Sequence, residues 1–245
     1  MAGACDVVEG VPLGSVADVA ERVDVVVDGV HLVCQVTGPR EAPPVVLLHA
    51  LGERASTWEY VMAGLATAFR VVAVDLRGHG DSGWPGRYSF EAMRDDVLGV
   101  LDQMRLTRVS VVGHSMGGVV AYLLAAEQPE RVERLVVEDV PPPFRRGASL
   151  RDRPPGDLPF DWDVVPAIVE QIDNPDPGWW DLLPRITAPT LIVGGGATSH
   201  IPQDKLIDVV ARLSDATLVT IPVGHHVHAA RPADFTAAVL DFLQQ

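Results

Sequence analysis

Lysine, cysteine and long apolar runs are all scarce in this chain, and each shortage removes a class of protein. Lys205 is the only lysine among 19 basic residues, which face 33 acidic ones, so the formal net charge is −14. So acidic a chain lacks the basic footprint that nucleic acid or an anionic membrane surface requires. The same excess disfavours highly anionic substrates. The two cysteines, Cys5 and Cys34, have neither metal-ligand nor redox spacing and make no disulfide framework. That fits a reducing, cytoplasmic setting. No uncharged apolar run reaches the roughly 20 residues of a membrane span. The N-terminal stretch carries Asp6, Glu9 and Asp18 and no basic residue before Arg22, unlike a secretory leader. Residues 1 to about 20 read as a loosely held arm.

What remains is a chain of 245 residues, 47% hydrophobic and 21% charged, suited to one α/β domain with a sizeable core. Val23–Val27 and Val30–Val36 flank Asp28-Gly29, a hairpin signal. Apolar strands are expected at 44–48, 70–74, 109–113, 132–138, 189–193 and 216–221. Helices are expected at 58–69, 90–104 (with Ser89 as N-cap), 115–128, 203–213 and 232–243. Strands alternating with helices predict a mainly parallel sheet covered on both faces. Residues 140–187 break the rhythm with Pro141-Pro142-Pro143 and Pro154-Pro155, and read as a small cap inserted between core strands.

The most informative run is RVSVVGHSMGG at 108–118. A β-branched strand leads into Gly113-His114-Ser115-Met116-Gly117, and an apolar helix follows. In that context G-x-S-x-G is a nucleophile elbow, a turn so tight that the serine's neighbours must be nearly free of side chains. Ser115 is thereby lifted clear of the sheet, at a helix N-terminus that favours negative charge. A serine hydroxyl needs a base to take its proton, and histidine titrates in the right range. Of eight histidines, His225 is the expected base, because Pro222-Val223-Gly224 carries it past the end of the last strand. His226 and His228 have weaker claims, and His114 is expected to pack beside the nucleophile.

With HALGE at 49–53, DLRGHGDS at 75–82, GHSMGG at 113–118 and GHHVHAARP at 224–232, the chain from about residue 24 onward resembles the α/β-hydrolase family. The resemblance implies an eight-stranded, mostly parallel sheet with its second strand antiparallel, and a site beneath a cap at the carboxyl ends of the strands. It assigns the two oxyanion-hole amides to Leu51 and Met116. It implies a mainly structural role for the 75–82 loop. Many members carry the triad acid after the strand matching 189–193. Here that loop reads GGGATSHIP, with Thr198 in the acid's place. Some relatives place the acid one strand earlier, which points to Asp139. Glu138 is the alternative, since neighbouring strand residues point to opposite faces. Asp204, at a helix start, is a weaker candidate.

Trp58, Trp162, Trp179, Trp180 and His200 are the candidate pocket residues, read against ordinary burial of large aromatics. The expected function is a serine hydrolase that cleaves an ester, lactone or thioester of a small, largely neutral molecule, with Ser115, His225 and Asp139 as triad. No metal or organic cofactor, nucleic acid or membrane partner is implied. Acyl transfer, perhydrolysis or carbon–carbon cleavage by the same groups, and a non-catalytic ligand-binding role, remain the alternatives.

Overall fold

The structure, a computed structural model, describes residues 20–147 and 152–245. The expected N-terminal arm, with Cys5, lies outside them. Among the described residues eight strands form one sheet in the order β1-β2-β4-β3-β5-β6-β7-β8. These are β1 Glu21–Val27, β2 Val30–Thr37, β3 Pro44–Leu48, β4 Arg70–Asp75, β5 Val109–His114, β6 Val132–Glu138, β7 Thr190–Gly194 and β8 Ala216–Thr220. β2 runs antiparallel to both β1 and β4, and the other pairings are parallel. The Asp28-Gly29 hairpin has positive φ at both residues, +47° and +81°, the twist that a two-residue hairpin favours.

Alternation along the central strands divides the core into two layers. Val46, Leu48, Val72, Val74, Val111, Leu135 and Val137 face one side, where α2 (Phe90–Gln103), α3 (Met116–Glu127) and α6 (Gln203–Val210) pack. Val45, Leu47, Val71, Ala73, Val112 and Val136 face the other, covered by α1 (Glu59–Leu65) and α8 (Pro232–Leu243). α3 is apolar all round and wholly buried but for Glu127, which suits a helix wedged between sheet, α2 and cap. Ser89 caps α2 by accepting the Ala92 amide at 3.1 Å. α1 ends earlier than its apolar pattern suggested, at Leu65 rather than Phe69, in a turn where the Phe69 amide still bonds Leu65 O.

Between β6 and β7 the described part of the inserted segment contains α4 (Val164–Asp173) and α5 (Trp179–Leu182). Val164, Ile168, Trp179 and Leu183 are buried and fasten it to the α2–α3 layer. A short α7 (Val227–Ala230) separates β8 from α8.

Candidate active site

Ser115, Asp139 and His225 each sit past the carboxyl end of a strand, β5, β6 and β8 respectively. β5 delivers Ser115 in a conformation that L-residues avoid, φ +50° and ψ −115°. Its neighbours explain how the turn is tolerated. A Cβ on Gly113 would lie 2.4 Å from Gly117 O, and one on Gly117 would lie 2.2 Å from Leu48 O. Both contacts are backbone and cannot yield. The Gly117 amide also donates to His49 O at 3.1 Å. The start of α3 is thus locked against the loop that follows β3, and Met116 and Leu51 are carried by segments held together. His49 braces that loop: its Nε2 accepts the Leu76 amide at 3.0 Å, so Nδ1 bears the proton and donates to Ala50 O at 2.8 Å. Complete burial holds this ring well below the usual histidine range.

β6 delivers two adjacent carboxylates that point to different partners. Asp139, fully buried and at φ +49°, meets His225, whose Nδ1 lies 2.9 Å from Asp139 Oδ2. Burial alone pushes this carboxyl up. Hydrogen bonds from His225, Ser199, the Gly195 amide and Gln203 outweigh it and hold the group below the ordinary aspartate range. An ionised carboxylate only accepts, so the His225 proton resides on Nδ1 and Nε2 carries the lone pair. Oδ1 accepts from Gly195 N at 2.7 Å and Gln203 Nε2 at 3.1 Å, while the Ser199 hydroxyl donates to Oδ2. The β7 loop, where Thr198 was aligned with the usual acid, therefore supplies donors to an acid that comes from β6. Ser199, Gln203 and Gly195 were not anticipated. Gly195 has a steric reason to be glycine, since a Cβ there would lie 2.1 Å from Gly224 O.

Glu138 turns the other way. It accepts the His228 amide at 2.9 Å and His228 Nδ1 at 2.8 Å, forming a second, fully buried carboxylate–imidazole pair. Trp58 stacks on that ring at 4.2 Å. Asp204 is exposed in the first turn of α6 and reaches neither pair. The loop at 75–82 is a brace, with Asp75 accepting the Ala55 and Asp81 amides and Ser82 linking Asp75 O to Val33 N.

The pocket expectations need correction. Trp58 is fully buried against His228 and Phe235, and lines no mouth. Trp179 is also buried, edge-on to Phe90 beneath the cap. Trp180 is half-buried on the same layer, and its indole donates to Pro143 O. All three follow the general tendency of large apolar rings to be buried, which outweighed the pocket reading. Trp162 packs on Phe160, which in turn lies over Gly52 beside Leu51, so Phe160 reaches the site loop. His200 is exposed, with its ring 4.3 Å from that of His225.

Residues 43–173 match the α/β hydrolase fold family. This chain belongs to it. The sn-1-specific diacylglycerol lipase ABHD11 of Danio rerio is 27% identical over 84% of this chain and 80% of its own length. Among solved structures, the enol-lactonase from Burkholderia xenovorans LB400 superposes with a TM-score of 0.78 at 26% identity, covering 91% of this chain and all of its own. Est816, an N-acyl homoserine lactone degrading enzyme, superposes with a TM-score of 0.73 at 26% identity over 89% of this chain and 99% of its own. These likenesses support an esterase-like hydrolase and leave its reaction open. Among the described residues of the hydrolase no helix is long and apolar enough to cross a membrane.

Proposed function

We propose that this hydrolase cleaves an ester, lactone or thioester of a small, largely neutral molecule through an acyl-enzyme on Ser115. The observation that carries the reading is the Asp139–His225 pair, which leaves the His225 Nε2 lone pair free to act as a base. Ser115 attacks the substrate carbonyl as its hydroxyl proton passes to His225 Nε2. The oxygen that gains charge is received by the Met116 amide at the head of α3 and the Leu51 amide in the loop after β3. Collapse of the tetrahedral species expels the leaving group, which takes the proton from His225. Water then gives a proton to the same nitrogen, attacks the acyl carbon and releases the acid, and the proton returns to Ser115. Asp139 stabilises the imidazolium without itself becoming protonated. The acidic balance of the chain, and relatives named for a diacylglycerol lipase and a lactonase, favour a neutral carbonyl substrate.

A fluorophosphonate probe and a panel of chromogenic esters and lactones test this. The reading expects stoichiometric labelling and turnover in wild type, with both lost in Ser115→Ala. A folded wild-type protein with neither would be a ligand-binding member of the family instead.

A further inference from the structure

Five histidine rings crowd the site, and the mechanism above uses one. The most unusual is His114, which is fully buried, with neither ring nitrogen in a hydrogen bond. Its nearest charged neighbour is Glu138, at 3.6 Å from Nδ1 and already engaged by His228. A buried polar ring without a partner calls for an explanation, because each unsatisfied group costs its full desolvation. Beside it stand Glu53 and His226. Glu53 uses Oε2 to accept the Ala50 amide and leaves Oε1 facing His226 Nε2 at 3.4 Å. One donor atom each from Glu53, His114 and His226 falls within 4.8 Å of the other two.

We infer that Glu53, His114 and His226 form a binding site for Zn2+, and that occupancy of this site suppresses turnover at Ser115. Two donors each about 2.0–2.1 Å from a tetrahedral zinc lie about 3.3 Å apart, close to the Glu53–His226 separation. Two imidazoles and a carboxylate suit zinc better than calcium or magnesium, and the fourth position is left to water. His226 is well exposed and Glu53 partly so, which gives the ion an entry path. The neighbouring cluster of His114, Glu138 and His228 offers none, being fully buried with Glu138 committed to His228. Suppression follows from chain continuity. His114 precedes Ser115 and His226 follows His225, so an ion gripping the first of one pair and the second of the other ties down the segments that must move a proton between them.

The binding claim is independent of the acyl-enzyme reading, and the suppression claim rests on it. Calorimetric titration of the full chain with ZnCl2 should show one equivalent bound, and Co2+ at the same site should give tetrahedral visible absorption. His226→Ala, a change at an exposed ring, should weaken binding by at least about tenfold. Glu53→Gln should also weaken it. Wild-type ester turnover should fall as zinc binds and return with EDTA, whereas His226→Ala should resist zinc. The inference is overturned if wild type binds no zinc, if both variants bind it as wild type does, or if His226→Ala is inhibited equally. Absence of turnover before any zinc is added would count against the acyl-enzyme reading alone, and calorimetry would still decide the site.

Discussion

Replacing Asp139 by asparagine separates the acid's charge from its shape, and the surroundings allow the cost to be worked out. Four donors converge on this carboxylate, the Gly195 amide and Gln203 on Oδ1, Ser199 and His225 on Oδ2. An asparagine has one oxygen to share among them. If that oxygen faced His225, its amino group would oppose the Gly195 N–H, a buried donor–donor contact costing about 1–3 kcal/mol. The side chain therefore keeps its oxygen on Gly195 and turns its amino group towards His225 Nδ1. That nitrogen must then accept, the proton moves to Nε2, and the base is lost. With the stabilisation of the imidazolium also gone, turnover should fall by about 10²- to 10⁴-fold, or roughly 3–5 kcal/mol of barrier. The assay is kcat and KM for a chromogenic ester, with circular dichroism to show that the variant is folded. KM should change little. A folded Asp139→Asn protein with wild-type kcat would refute the argument, as would an equal kcat loss in Glu138→Gln.

Three further outcomes follow from the same geometry. Glu138→Ala should cost about 3–5 kcal/mol by urea denaturation, because it strands His228 in a buried setting. The sign with pH follows from both partners. Burial opposes ionisation of Glu138, but His114 and His228 outweigh it and lower the group from 4.5, so its contribution is lost as pH falls through the lowered value. Burial likewise opposes charge on His228, but Glu138 raises it from 6.5, so its contribution is complete below 6.5 and lost as pH rises through the raised value. The gap between wild type and variant should accordingly be widest between pH 4.5 and 6.5, and a gap independent of pH would contradict the pairing. Ser115→Gly should be more stable than Ser115→Ala by about 1 kcal/mol, since only glycine is at ease at φ +50°; equal melting temperatures would show that the elbow is unstrained. Gly117→Ala should cost about 3 kcal/mol, because its Cβ meets the Leu48 backbone, and a fully stable variant would mean that α3 can retreat from β3.

Much of the frame was readable because it rests on local rules. Asp28-Gly29 needs φ > 0 twice, the GHSMGG turn needs flanking glycines, and alternating valines need two covered faces. Asp139 was reachable from the sequence through the resemblance to relatives that carry the acid one strand earlier, and alternation at the strand end added only that Asp139 and Glu138 aim at different targets. Its supporting shell was not, since Ser199, Gln203 and Gly195 come from a loop whose path depends on β7 and β8. The fates of Trp58, Trp179 and Trp180 were equally hidden. Apolar burial has no direction, so a tryptophan near a site in sequence is as content beneath a helix as at an entrance. The unpartnered His114 left no trace in sequence, because an absent hydrogen bond is a property of its neighbours.

The central claim is covalent chemistry on Ser115, and its most direct test is the mass of the protein caught during turnover. Acid quenching in the first turnovers of an activated ester should give a species heavier by one acyl group, and peptide mapping should place that group on Ser115. An unmodified protein under rapid turnover, or an acyl group on any other side chain, would contradict the account.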